Sequence, residues 1–194
     1  MANRAYLYTS NKEQNLIYDV SEFPWGIPIF YKILLGVDTC LAESKIWNYE
    51  HPIAIKADFK LGLQRLYDFY DYLETQKELN KKEISNFKNE TIDFFKKNKE
   101  RVSDLFFMEA TEIYELGESE NWPIEKSNKY EYDRIKHISM DISEILVKRP
   151  INVFDSKKDS PSWWWLKEIK EDINSLSVYW THETYFSMNN YHLA

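Results

Sequence analysis

The chain is poor in the residues that form covalent cross-links and tight phosphate-binding loops. Its 194 residues include one cysteine, Cys40, and 4 glycines. A single cysteine excludes an intramolecular disulfide and a zinc site built from several thiolates. Four glycines could scarcely build a phosphate loop, and the patterns GxGxxG, P-loop and GxSxG are all absent from the sequence. We therefore expect no cofactor and assign no catalytic or metal-binding residue.

Long hydrophobic runs are missing as well. The longest candidate, residues 27–37, is interrupted by Pro28 and Lys32 and is shorter than the roughly 18–20 residues of a membrane span. The first residues enter a strand-like pattern at once, which is unlike a signal peptide. Together with the lone cysteine, these features predict a cytoplasmic protein that does not bind membranes.

Acidic residues are abundant and unevenly distributed. The formal net charge is −7, and residues 102–125 hold seven Asp or Glu and no Lys or Arg. A net acidic chain is a poor nucleic-acid binder, because phosphate binding needs a basic surface. Two interpretations of the acidic segment remain open. It is either a solvated face or a surface that attracts a basic protein partner by complementary charge.

Hydrophobic periodicity predicts an α+β fold dominated by helices. A strand is expected at residues 2–9, and helices are expected at 27–35, 56–76, 80–99 and 129–148, with a further one starting at Ser160-Pro161. Residues 105–108 are ambiguous between strand and helix. The partly alternating tail at 176–188 is predicted to supply strands that pair with the N-terminal strand. We expect a single domain, 1–194, with a small antiparallel sheet built in this way.

Three stretches carry a family resemblance. Residues 1–8 read MANRAYLY, residues 23–28 with 31–35 read FPWGIP and YKILL, and residues 106–113 read FFMEATEI. Weaker likeness lies around Trp180 and residues 185–187. The chain resembles an uncharacterised bacterial family whose members open M-A-N-R-x-Y-L-Y. That resemblance implies no activity, cofactor or catalytic residue.

Several side chains are candidates for a catalytic or metal-binding role, and each of them can also be explained as an ordinary surface or structural residue. Glu109, Glu112 and Glu115 recur at helical spacing, as do Asp68, Asp71 and Glu74, and both runs fit solvated faces better than paired catalytic carboxylates. His137 lies four residues from Asp133 and from Asp141, a spacing for a metal ligand or a surface charge network. His182 beside Glu183 could act as an acid–base pair. Cys40 lacks an adjacent base and is expected to be inert.

Aromatic residues are the remaining signal, at 16% of the chain. Trp163, Trp164 and Trp165 would point in three directions around a helix, about 100° apart. Either that helix is nearly engulfed, or one tryptophan is exposed as an anchor for a partner.

The leading functional hypothesis is a non-enzymatic interaction protein, in one version an immunity-type inhibitor of a basic toxin. Its expected partner-binding residues are Glu112, Glu115, Glu118, Glu120, Trp122 and Trp164. One alternative is a small-ligand binder or enzyme whose site is assembled from Arg4, Tyr6, His137 and Glu112. Another is a homo-oligomer that uses the tryptophan helix. The sequence leaves the oligomeric state open.

Overall fold

The computed structural model describes residues 3–101, 103–154 and 164–185. Five strands form one antiparallel sheet in the order β2-β1-β5-β4-β3. Their bounds are β1 Arg4–Ser10, β2 Ile17–Pro24, β3 Cys40–Ala42, β4 Ala54–Asp58 and β5 Leu105–Glu109. In the described residues the α-helices are α1 Ile29–Leu34, α2 Phe59–Leu73, α3 Lys81–Lys97, α4 Thr111–Tyr114, α5 Ile124–Lys148 and α6 Trp164–Glu171. The predicted helix-dominated α+β class is confirmed.

The two faces of the sheet are covered differently. Ala5 and Leu7 of β1 belong to the main core, which the helices complete. Tyr6 and Tyr8 alternate onto the opposite face, where they join Phe107 in a smaller buried cluster. Strand side chains point to alternate faces, so one strand contributes to both layers. The second face carries the polar groups described below.

Helix α1 is the centre of the main core, since all six of its residues are buried. It packs on α2 and α5. The approach to α2 is unusually close: a Cβ built at Gly62 would lie 2.0 Å from the carbonyl oxygen of Leu34. Only glycine fits this crossing, because any side chain there would collide with backbone.

Helix starts follow the expected capping chemistry. The Asp58 side chain accepts a 2.8 Å hydrogen bond from the Leu61 amide at the start of α2. The Asn80 side chain does the same for the Lys82 amide at α3. These side chains satisfy amides that have no partner within the helix.

The prediction that strands of the tail pair with the N-terminal strand was wrong. Its neighbours are β2 and β5, and the tail, as far as it is described, forms no strand. Instead, one bridge joins Ser21 to Trp180, and the Thr181 amide donates to the Val20 carbonyl. The tail thus lies along the edge of β2 without extending the sheet.

The starts of two helices also differ from the predictions. Residues 54–58 form β4, although 56–58 had been assigned to the following helix, and α5 begins at Ile124 rather than at residue 129. The ambiguous segment at 105–108 is strand β5. The proposed start at Ser160-Pro161 lies outside the described residues.

Candidate functional site

A buried carboxylate, Glu109, ends strand β5 and organises the second face of the sheet. It is fully buried. Its Oε1 accepts hydrogen bonds from the Lys45 amide at 2.7 Å and from the Tyr8 hydroxyl, and its Oε2 accepts one from the Ser44 hydroxyl. Burial raises the pKa of Glu109 above its ordinary value, and these hydrogen bonds oppose that rise. The prediction that Glu109 is a solvated surface acid was therefore wrong.

Ser44, which donates to Glu109, also accepts hydrogen bonds from the loop that follows it. Its Oγ accepts hydrogen bonds from the amides of Ile46 at 3.1 Å and Trp47 at 2.6 Å. We call residues 43–53, which connect β3 to β4 across the second face, the covering loop. Three amides at the start of this loop are thus bound by the side chains of Glu109 and Ser44, which holds the loop's first residues against the end of β5.

The next carboxylate in the chain, Glu112 of α4, is bound to strand β1. Its Oε2 accepts from the Arg4 amide at 3.0 Å, and its Oε1 accepts from the Tyr6 hydroxyl at 2.9 Å. Burial is the main cause that raises the pKa of Tyr6, and the bond to Glu112 adds to it. Arg4, Tyr6 and Glu112 are thus brought together, as the ligand-binding alternative required.

The fourth residue of that alternative lies elsewhere. His137 lines a cavity of about 280 Å³ on α5 with Tyr130, Asp133, Arg134 and Ile138. None of Arg4, Tyr6 and Glu112 lines this cavity. The four residues therefore do not form one site.

After α4 the chain enters an exposed acidic segment. Glu115 opens a 3-10 turn that ends at Gly117, and a short bridge joins Ser119 to Trp122, with Glu120 at its tip. We call residues 115–122 the acidic segment. Glu115, Glu118 and Glu120 are exposed, and Leu116 between them is 63% exposed. Three predicted partner-binding residues therefore lie in solvent on one short turn structure.

The covering loop and the acidic segment meet at Tyr49. The Tyr49 hydroxyl donates to Glu115 Oε1 at 3.5 Å, and the ring is 38% exposed. Partial burial raises the pKa of Tyr49, and the charges of Glu115, Glu118 and Glu125 raise it further. An exposed aromatic ring of the covering loop thus lies beside Glu115, and the negative charges of Glu118 and Glu125 also act on its hydroxyl.

Trp122, also predicted as a partner-binding residue, is 39% exposed at the end of the acidic segment. Its Nε1 donates to the Ser127 hydroxyl at 2.8 Å. The Lys126 ammonium lies 4.3 Å from the ring centre, a cation–π contact. The indole is therefore held in place, and its face already accommodates a cation.

The other residues considered for a metal-binding or acid–base role form contacts within the fold. Asp133 forms an ion pair with Lys129, and Asp141 accepts a 2.9 Å hydrogen bond from the indole of Trp165, which is fully buried. Across residues 3–101, 103–154 and 164–185, no group of three His, Cys, Asp or Glu side chains could hold a metal ion. The Nδ1 of His182 is bound to the Asp19 carbonyl oxygen at 2.8 Å.

Of the three consecutive tryptophans, only Trp165 has a described side chain. Trp164 is the first residue of α6, and its side chain lies outside the described residues, as does all of Trp163. Trp165 faces the core, and its ring is tilted by 48° to that of Phe69 at a centroid distance of 5.8 Å. The prediction of an exposed tryptophan at this helix stays a prediction.

Comparison with known proteins agrees with the resemblance seen in the sequence. Residues 6–149 match the profile of a domain of unknown function, DUF7822, which confirms the expected uncharacterised family. No curated protein and no solved structure matches the chain. In the part of the chain that is described, no helix is both long enough and apolar enough to cross a membrane.

Proposed function

Because the chain belongs to the family of DUF7822, a domain without an assigned function, we propose from its own geometry that it is a non-enzymatic protein-binding module. Its partner is a basic protein, which docks on the acidic segment and on Tyr49. This surface joins negative charge to exposed apolar groups, as Leu116 and Trp122 flank the carboxylates. Charge then directs the encounter, and the aromatic and aliphatic groups supply contact area.

The observation that carries this proposal is the environment of Tyr49. Its hydroxyl donates to Glu115 Oε1 at 3.5 Å, and its pKa is raised by partial burial and then by the charges of Glu115, Glu118 and Glu125. Exposed acids of one sign repel one another in the free protein. A lysine or arginine placed over the Tyr49 ring would relieve that repulsion and gain a cation–π contact.

The concrete version of the proposal is an inhibitor of the immunity type, which acts in the cytoplasm and covers the working surface of a basic toxin. Such a role needs a rigid surface rather than a reactive group. The hydrogen bonds of Glu109 and Ser44 supply that rigidity, since they fix the covering loop that carries Tyr49. A fixed surface loses less conformational entropy on binding.

The experiment begins with affinity capture from the native cell, followed by calorimetry with the purified partner. The variant Glu115→Lys, Glu118→Lys, Glu120→Lys is expected to lower affinity by at least about 100-fold, since three favourable charges become repulsive. A control variant reverses three exposed acids elsewhere, Glu13, Glu100 and Glu144, and has the same net charge. Equal affinity of the two variants for the partner would show that only net charge matters and would refute the proposed surface.

The alternative is a small-ligand binder or an enzyme with a site assembled from scattered residues. One observation favours this alternative: Glu112 is hydrogen-bonded to both Arg4 and Tyr6. However, the Glu112 carboxylate is already bound on both oxygens, and His137 lies on another element. Retained partner affinity in Glu112→Gln, together with loss in the triple variant, would separate the two functions.

A further inference from the structure

A second surface feature lies away from the acidic segment, between helix α3 and the tail. It is a groove with a volume of about 360 Å³, in the range of small-molecule sites. Its lining combines apolar and charged residues: Glu90, Asp93, Phe94, Lys97, Asn98, Val178, Tyr179 and Trp180. We call it the α3–tail groove. The residues that form it are not used by the proposed protein-binding surface.

The aromatic wall of the groove is rigid. Phe94 is stacked on Trp180 at 5.3 Å and packs against the ring of His182 at 4.7 Å. The indole Nε1 of Trp180 donates to the Thr91 hydroxyl at 3.2 Å. The backbone of the tail is held by the Ser21 hydroxyl, which donates to the Tyr179 carbonyl at 2.8 Å. The wall is thus formed before any ligand arrives.

In contrast to the fixed wall, the charges of the groove are unpaired. Asp93 and Lys97 are four residues apart on one helix, a spacing that allows an ion pair. Lys129 with Asp133 and Glu144 with Lys148 form such pairs on α5, whereas Asp93 and Lys97 do not. Among the described residues, Glu90, Asp93 and Lys97 form no ion pair at all. Both signs of charge therefore face solvent beside the aromatic wall.

A ligand that satisfies the charged groups and the rings carries an ammonium for the two carboxylates, a carboxylate for Lys97, and an apolar body for the rings. We propose that the α3–tail groove binds a small zwitterion of the amino-acid type, with an aromatic or other apolar side chain. A purely cationic ligand would leave Lys97 repelled, and a purely anionic one would be repelled by Glu90 and Asp93. The ring of Tyr179, which is 68% exposed, offers a further apolar contact at the edge of the groove.

The test uses three probes of nearly the same shape: phenylalanine, phenethylammonium and 3-phenylpropanoate. Binding is followed by the NMR signal of the Trp180 indole N–H, which is assigned by its loss in Trp180→Phe. Phenylalanine is expected to bind at least about tenfold more tightly than either singly charged probe, because each of those lacks one charge-assisted contact. Equal binding of the three probes, or no saturable shift with phenylalanine up to about 10 mM, would overturn the proposal.

Substitutions of exposed residues identify the contacts without risk to the fold. The double variant Glu90→Gln, Asp93→Asn is expected to lower the affinity for phenylalanine and for phenethylammonium by about tenfold. Its affinity for 3-phenylpropanoate should not fall. Lys97→Gln is expected to lower the affinity for phenylalanine and for 3-phenylpropanoate. Its affinity for phenethylammonium should not fall. The control Glu100→Gln, at the same end of α3 and outside the groove lining, should change none of the affinities by more than about twofold. The opposite pattern, or changes of the same size in the control, would contradict a zwitterion site.

Discussion

The amide of Lys45 donates a 2.7 Å hydrogen bond to Glu109 Oε1, although 64 positions separate the two residues in the chain. This bond joins the covering loop to the end of strand β5. Tyr49 lies four residues beyond Lys45, and α4 begins two residues beyond Glu109. One buried carboxylate therefore joins the loop that carries Tyr49 to the end of the strand that leads towards the acidic segment.

The first prediction concerns the pH dependence of stability through Glu109. Because burial raises its folded pKa above the unfolded value near 4.5, the group stabilises the fold at low pH, and this contribution is lost as pH rises through the folded pKa. The variant Glu109→Gln has an amide at this position, which does not titrate. We therefore expect the free energy of unfolding of the natural protein to fall, relative to Glu109→Gln, as pH rises from 4.5. Urea denaturation of both proteins at several pH values measures the difference.

A matched control for this experiment is Glu13→Gln, which removes an exposed acid from the turn after β1. Its difference from the natural protein should stay nearly constant over the same pH range, since exposed groups titrate alike in both states. A constant difference for Glu109→Gln as well would mean that Glu109 ionises normally in the fold. A difference that moves in the opposite direction would mean that its hydrogen bonds outweigh burial.

The second prediction tests the acidic environment of Tyr49 without any partner. Partial burial raises the pKa of its hydroxyl, and the charges of Glu115, Glu118 and Glu125 raise it further. Changing all three to Gln should lower the Tyr49 pKa towards its ordinary value, and salt should lower it in the natural protein. Carbon NMR of the tyrosine ring during an alkaline titration reports the pKa. The control Glu13→Gln, Glu100→Gln, Glu144→Gln should leave it unchanged.

Much of the helical framework could be predicted from the sequence because its signals are local. Phe59, Leu66 and Leu73 recur on one stripe of α2, and Asn80 caps α3 as its sequence position suggests. The short strands β3 and β4 gave no such signal. β4 runs directly into α2 through Asp58, so its residues read as the first turn of the helix. Only pairing with β5 makes them a strand.

The buried role of Glu109 could not be derived from spacing. Glu109, Glu112 and Glu115 are three residues apart, which suggests one helical face, but Glu109 ends a strand and Glu115 begins a 3-10 turn. Its partners Tyr8 and Ser44 come from separate segments, and nothing local indicates that they converge. The exposed acids were predicted better, because a run without basic residues can hardly be neutralised within the chain.

The third prediction concerns the close contact of α1 and α2. Gly62→Ala would place a methyl group against the Leu34 carbonyl, so the helices must separate or the fold must distort. We expect a loss of at least about 3 kcal/mol in the free energy of unfolding, as for severe overpacking. In contrast, a Cβ at Gly117 meets nothing within 4 Å, and Gly117→Ala should be neutral or stabilising by up to about 1 kcal/mol. Thermal and urea denaturation of both variants would show whether the crossing is as tight as described.

The fourth prediction concerns the buried ion pair of Lys32 and Glu131, which joins α1 to α5 at 3.1 Å. Burial lowers the pKa of Lys32, and the charge of Glu131 opposes this effect, so each charge depends on the other. Glu131→Leu alone leaves the Lys32 ammonium buried without its partner and should cost about 3–5 kcal/mol of unfolding free energy. Lys32→Met should cost less, because Glu131 keeps its 3.3 Å contact with Arg134. The double variant should cost less than Glu131→Leu alone, because it leaves no lone buried charge, and Arg134 is partly exposed. A double-mutant cycle by urea denaturation measures the coupling, and strictly additive losses would show that the two charges act independently.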